Sequence, residues 1–174
     1  MAKAIFLDRD GVINEDFGYV HKIEDFRFIP GVFEALRHFK ALGYKLILIT
    51  NQSGIGRGYY SEEDYHKLTN WMQEQLEKEG VRLDAIYYCP HHPQQGCECR
   101  KPQPGMLLQA IKEQDIDAKS SWMIGDKPSD IEAAKRAGID NTILLEPNSI
   151  TSSLFDTIKI IEGKSHGNFK NRSE

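Results

Sequence analysis

The sequence predicts a doubly wound, Rossmann-like α/β fold with a mainly parallel sheet and flanking helices, and three observations carry that reading. Short apolar runs alternate with helix-spaced stretches from Ala4 to Leu145. Several of these runs end in acidic or small polar residues: Asp8-Arg9-Asp10-Gly11, Thr50-Asn51-Gln52-Ser53-Gly54 and Gly125-Asp126-Lys127-Pro128. No repeat or linker divides the 174 residues, which are enough for one hydrophobic core. The expectation is a single domain over residues 1–163, followed by a polar tail, 164–174, that is disordered.

The first run, Ala4 to Leu7, is uninterrupted and apolar, as a strand buried on both faces should be. Open parallel sheets bind ligands beyond the carboxyl ends of their strands, which places Asp8 and Asp10 where chemistry is done. Two carboxylates so close repel unless a cation or a proton intervenes. The pair therefore reads as a Mg²⁺ site with one aspartate free to act as a nucleophile, or more plainly as an acidic turn. Glu15 to Pro30 lacks a period and reads as a loop or small hairpin over the end of that strand, equally a lid or specificity element or a solvated connector.

Pro30-Gly31 opens a helix with Val32, Phe33, Leu36, Phe39 and Leu42 at helical spacing, and Gly43 stops it. Tyr44 to Ile49 is the second buried strand, and Thr50, Asn51, Gln52 and Ser53 at its end read as phosphate donors or as a plain polar turn. Gly54, Gly56 and Gly58 bracket Arg57 in a cationic loop. Ser61 is an N-cap followed by Glu62, Glu63 and Asp64, and Tyr65, Leu68, Met72 and Leu76 form the core stripe of a helix that ends at Gly80. Asp84 to Tyr88 is a third, shorter strand.

All three cysteines fall in the next stretch, Cys89 to Cys99. An odd count disfavours a disulfide framework. Cys89, His91, Cys97 and Cys99 make a Cys₃His set of the kind that closes a tetrahedral structural Zn²⁺ site, with His92 as the alternative to His91. Two prolines and a glycine leave this loop little else to hold its shape, so metal would supply the stability. Arg100-Lys101-Pro102 follows. A residue before proline is held extended, which makes Lys101 a cation on a constrained backbone and a suitable phosphate partner.

Pro104 to Gln114 reads as a helix. Ser121 to Ile124 is the fourth strand and runs into a second acidic pair, Asp126 and Asp130. Ile131, Ala134 and Ala137 face a core and Gly138 ends that helix; Asn141 to Leu145 is the fifth strand and Thr151 to Ile161 a last helix. The net charge of −4 disfavours a general nucleic-acid binder, which needs a basic face. No apolar run approaches the ~20 residues of a membrane span, and the first strand leaves no room for a signal peptide, so a cytoplasmic protein is expected. A monomer is expected as well.

In their joint order, D-x-D-G, T-N-Q-S, R-K-P and G-D-x-x-x-D, these motifs resemble the haloacid dehalogenase (HAD) superfamily of phosphohydrolases, across residues 3 to about 160. The C-P-H-H-P and C-x-C-R-K-P segments narrow the likeness to the D,D-heptose 1,7-bisphosphate phosphatases and the related histidinol-phosphate phosphatases. Two departures accompany it: Val12 stands where Thr is frequent, and the loop between His91 and Cys97 is short.

No insert between these motifs is long enough for a large cap domain, so none is expected. The resemblance implies that Asp8 attacks phosphorus while Asp10 acts as acid and then base. It implies that Thr50 and Lys101 hold the phosphoryl oxygens. Mg²⁺ would be held by Asp8, the Asp10 backbone carbonyl and Asp126, with Asp130 behind them. Asp16, Phe17, Gly18, Tyr19, Asn51, Gln52, Ser53, Arg100 and Lys127 would line the substrate side, with Arg57 added on charge alone. The implied substrate is a small phosphorylated sugar, the heptose bisphosphate of lipopolysaccharide-precursor synthesis. The alternatives are histidinol phosphate, a dehalogenase, and a zinc-stabilised phosphosugar-binding module without catalysis.

Overall fold

Alternation of side chains along apolar strands builds two cores, one on each side of a sheet. The computed structural model describes residues 1–164. In chain order it contains β1 (Ala4–Leu7), α1 (Val32–Ala41), β2 (Lys45–Asn51), the single turn α2 (Ser53–Gly56), α3 (Glu62–Lys78) and β3 (Ala85–Cys89). These are followed by α4 (Gly105–Glu113), β4 (Trp122–Gly125), α5 (Pro128–Arg136) and β5 (Asn141–Leu144), and then α6 over residues 158–164. The strand order is β3-β2-β1-β4-β5 and every pairing is parallel.

Ile5, Leu7, Leu46, Leu48 and Ile124 pack on one face with Leu36 and Phe39 of α1 and Leu68, Met72 and Leu76 of α3. Phe6, Ile47, Ile49 and Met123 pack on the other face with Leu107 and Ala110 of α4 and Ala133 and Ala134 of α5. The chain leaves β1 toward β2 and β3 and later returns to β1's other side with β4. The carboxyl ends of β1 and β4 therefore meet at the topological switch point, where such sheets place their ligands.

The expected elements are present, with instructive shifts at their edges. β2 runs on to Asn51 because Thr50 and Asn51 pair with Tyr88 and Cys89 of β3. The start of α3 is fixed reciprocally: Ser61 Oγ accepts from Asp64 N–H at 3.0 Å, and Asp64 Oδ2 accepts from Ser61 N–H at 3.0 Å. The last helix begins later than its apolar pattern predicts. The Ser152 and Ser153 N–H groups both donate to Asp156 Oδ2 at 3.0 Å, and this holds Leu154–Thr157 in a tighter 3-10 turn ahead of α6. The 15–30 segment is a loop anchored by aromatic packing, with Phe26 and Phe28 at 5.7 and 6.2 Å from Trp71 of α3. Of the tail expected to be disordered, residues 165–174 lie outside the described part of the chain.

Candidate active site

The site begins with Asp8, the first residue past β1. Its N–H donates to the Ile124 carbonyl of β4 at 3.3 Å, which fixes it at the switch point. Lys101 Nζ lies 3.1 Å from Asp8 Oδ1 and 2.6 Å from Asp130 Oδ1, and donates to the Ile49 carbonyl of β2 at 2.8 Å. The Lys101 backbone is held in turn, its N–H donating to Asn51 Oδ1 at 3.1 Å. Asp8, Lys101 and Asp130 are all buried. Burial pushes the Asp8 carboxyl up to about 7; Lys101 opposes this, and Asp130, Asp10 and Asp126 add to it. Burial also works against the Lys101 ammonium, but Asp8 and Asp130 outweigh it and hold its pKa above the ordinary lysine value.

One lysine does not neutralise this pit. Asp8, Asp126 and Asp130 each bring a carboxylate oxygen within 4.8 Å of the others. Burial, then Asp130 and Asp16, raise the Asp126 carboxyl against the pull of Lys127. Both Asp130 oxygens are used, Oδ1 by Lys101 and Oδ2 by the Lys127 N–H at 3.1 Å. Asp126 Oδ1 by contrast is buried with no hydrogen-bond partner. Gly11 makes room for the other oxygen: its φ is +88°, and a Cβ there would lie 2.1 Å from Asp126 Oδ2. An unpartnered acidic oxygen beside a carboxyl that burial pushes up fits a hard divalent cation between Asp8 and Asp126, with Asp130 as support.

Asp10 stands at the edge of this pit. Its Oδ1 accepts hydrogen bonds from Arg9 Nη2 and Asn14 Nδ2, each at 3.0 Å. Neither Arg9 nor Asn14 stands out in the sequence as a site residue. The available signal was a charged residue inside an apolar strand-to-turn segment, which has to find a buried partner.

Above the acidic pit opens a cleft of about 510 Å³. Of the expected substrate residues, Asp16, Gly18 and Tyr19 line it from the 15–30 loop, and Asn51, Gln52, Ser53 and Arg57 from the end of β2 and α2. Arg100, Lys101 and Lys127 complete a wall rich in cations. Phe17 is not among the side chains that line this cleft; it is 57% exposed, with its ring 5.6 Å from the Arg27 guanidinium. The Gly18 and Tyr19 backbones are both left-handed, at φ 84° and 52°, and the turn they make separates Phe17 from the cleft.

Thr50 lies beneath the cleft, fully buried; its hydroxyl accepts from Gln52 Nε2 at 2.9 Å, and Gln52 Oε1 accepts from Tyr60 O–H at 2.5 Å. Tyr60, Pro102 and Ser129 also line the cleft and were not anticipated.

Beside the cleft the Cys/His loop converges on a point. Cys89 Sγ lies 3.4 Å from His91 Nδ1 and 3.5 Å from Cys97 Sγ, and His91 Nδ1 lies 3.1 Å from Cys99 Sγ. Zinc–ligand bonds of about 2.0–2.3 Å imply tetrahedral edges of about 3.5–3.8 Å, close to these separations. The Cys89 and Cys99 sulfurs also contact each other in disulfide fashion. A disulfide does not need His91 and Cys97 at the same point, and a tetrahedral metal does. His92 turns elsewhere, its Nδ1 accepting from the Gln94 N–H at 3.1 Å, so His91 is the convergent histidine. The loop is tied to its surroundings by Gly56 N–H to the Pro90 carbonyl at 2.8 Å and Gly105 N–H to the Glu98 carbonyl at 3.0 Å.

A HAD-hydrolase-like family model matches residues 98–149, the segment that carries Lys101, Asp126 and Asp130. The D-glycero-beta-D-manno-heptose-1,7-bisphosphate 7-phosphatase of Pasteurella multocida (strain Pm70) is 52% identical over 94% of this chain and 98% of its own. The chain belongs to this HAD phosphatase family. A Helicobacter pylori (strain ATCC 700392 / 26695) relative of the same name is 56% identical over 85% of this chain and 86% of its own. The crystal structure of D,D-heptose 1,7-bisphosphate phosphatase from B. bronchiseptica, complexed with magnesium and phosphate, matches with a TM-score of 0.83 and 29% identity. That match covers 93% of this chain and 99% of the other.

Proposed function

We propose that this chain removes the 7-phosphate of D-glycero-D-manno-heptose 1,7-bisphosphate, in the β anomer that its relatives' names specify. The single observation that carries the chemistry is Asp8: a buried carboxylate at the β1–β4 switch point, in contact with Lys101, beneath a cleft walled by Arg57, Arg100 and Lys127. A carboxylate so placed is a nucleophile for phosphorus, and the surrounding cations suit the two phosphates of the substrate.

Asp8 attacks the phosphoryl group and forms an aspartyl-phosphate. Asp10 protonates the leaving sugar oxygen and then takes a proton from the hydrolytic water. Lys101 stays charged and neutralises phosphoryl oxygens as charge shifts onto them, assisted by the Thr50 hydroxyl that Gln52 orients. Asp8, the Asp10 backbone carbonyl and Asp126 would hold Mg²⁺, which quenches repulsion between nucleophile and phosphate. Cys89, His91, Cys97 and Cys99 would hold a structural Zn²⁺ that fixes Arg100 and Lys101 at the cleft wall. Thiols arranged as metal ligands require a reducing compartment, which supports the cytoplasm.

The test is phosphate release with Mg²⁺ from the α and β heptose bisphosphates and from histidinol phosphate. The reading expects fastest turnover of the β heptose bisphosphate. Faster turnover of histidinol phosphate would overturn the substrate, and full phosphatase activity in Asp8→Asn would overturn the covalent mechanism.

A further inference from the structure

The fold treats the two carboxylate oxygens of Asp10 differently. Oδ1 accepts from Arg9 Nη2 and Asn14 Nδ2, both at 3.0 Å. Neither donor is a mobile surface group: Arg9 is 2% exposed and Asn14 is 0% exposed. Each is also pinned by a backbone carbonyl, Arg9 Nη2 by Val20 at 2.7 Å and Asn14 Nδ2 by Glu15 at 3.1 Å. Among the described residues Oδ2 accepts no hydrogen bond, and the Asp10 side chain lines the cleft.

A protonated carboxyl has one carbonyl-like oxygen that only accepts and one hydroxyl that donates. An oxygen already accepting two N–H bonds is the carbonyl-like one. We propose that Arg9 and Asn14 are positioning residues that reserve Oδ1 of Asp10 as a permanent acceptor, so that Oδ2 alone exchanges the proton in both half-reactions. The proposal rests on the phosphatase reading above.

In the first half-reaction an Asp8 oxygen bonds to phosphorus, the ester P–O bond breaks, and its electron pair stays on the sugar oxygen, which takes the proton from Oδ2. In the second, water bonds to phosphorus, gives its proton to Oδ2, and the P–O bond to Asp8 breaks to release phosphate. Arg9 has a further consequence. One guanidinium nitrogen bonds both Asp10 and Val20, so the loop that carries Asp16, Gly18 and Tyr19 and the proton-transferring carboxyl are held in one register.

A proton donor matters for a poor alkoxide leaving group and little for para-nitrophenolate, which departs without one. The experiment compares kcat/KM for heptose bisphosphate and para-nitrophenyl phosphate in wild type, Asn14→Ala and Arg9→Lys, with folding followed by circular dichroism and thermal unfolding. Positioned general-acid catalysis contributes about 10²–10⁴-fold. Asn14→Ala is expected to lose about 10²-fold on the sugar phosphate and less than about 3-fold on the aryl phosphate. Should Asn14→Ala fail to fold, Arg9→Lys, which keeps the charge but not the paired reach, carries the same split. Equal losses on both substrates, or none on either, would overturn the assignment. A wild-type chain inactive on both would sink the phosphatase reading beneath it.

Discussion

The acidic pit and the Cys/His loop are both clusters of metal-ligand groups within 4.8 Å, yet they are built in opposite ways. Asp8, Lys101, Asp126 and Asp130 come from distant parts of the chain and meet because β1, β2 and β4 end side by side. Backbone hydrogen bonds to Ile124, Ile49 and the Lys127 N–H hold them in place. Cys89, His91, Cys97 and Cys99 lie within one loop, and only Cys89 stands on a strand. The pit owes its shape to the sheet and needs an ion for its charge. The loop has only a few backbone ties to its surroundings, and its four ligand side chains converge on one point. Loss of the proposed Mg²⁺ should silence the first, and loss of the proposed Zn²⁺ should destabilise the second.

The largest effect breaks the pit's chemistry and spares its shape. Asp8→Asn is expected to lower turnover by about 10⁴-fold or more, as loss of a nucleophile does. Its melting temperature should stay within a few degrees of wild type, because the amide also relieves repulsion from Asp126 and Asp130. Steady-state assays with calorimetry would check this, and a misfolded variant would show that the carboxylate shapes the pit. Next, under the proposed zinc site, Cys97→Ser should bind no zinc at the loop and destabilise the protein by about 3 kcal/mol or more, since metal affinity in such loops is folding energy. Metal analysis with chemical denaturation tests that, and a variant retaining one zinc per chain would reject the ligand set.

The pit's charge gives a third test. The folded Asp8 has its pKa raised to about 7 from 3.8, so between those values the folded chain keeps a proton that the unfolded chain has released. Stability of the metal-free protein therefore falls as pH rises through that window, and this group contributes no further change above it. Mg²⁺ opposes the repulsion that grows with pH, so it should raise the melting temperature more at pH ~8 than at pH ~5. An equal shift at both would place the cation elsewhere. The smallest expected effect is Phe17→Ala. With its ring over Arg27 and outside the cleft, the change should leave kcat/KM within about twofold, well under one kcal/mol.

The sheet was legible because strands buried on both faces are uninterrupted apolar runs, and their polar ends mark the switch point. The Cys/His loop was legible because its ligands are neighbours in the chain. What escaped the sequence has a common cause. Arg9 and Asn14 are held beside Asp10 by the backbone carbonyls of Val20 and Glu15, in a loop with no periodicity to predict its path. Phe17 and Tyr19 differ in placement because the left-handed turn that Gly18 permits continues into Tyr19, a step the sequence does not announce. Tyr60 reaches the site through Gln52, a contact set by how α2 packs. The late start of α6 follows from one aspartate, Asp156, capturing two N–H groups that an apolar pattern cannot foresee.

The central claim is that a buried carboxylate at the end of β1 takes the phosphoryl group. Rapid acid quench with substrate radiolabelled in the sugar's distal phosphate, followed by peptide mapping, measures it directly. The account predicts transient, hydroxylamine-labile label on the peptide containing Asp8, absent in Asp8→Asn. Turnover with no label on that peptide, or label that persists in the variant, would contradict it.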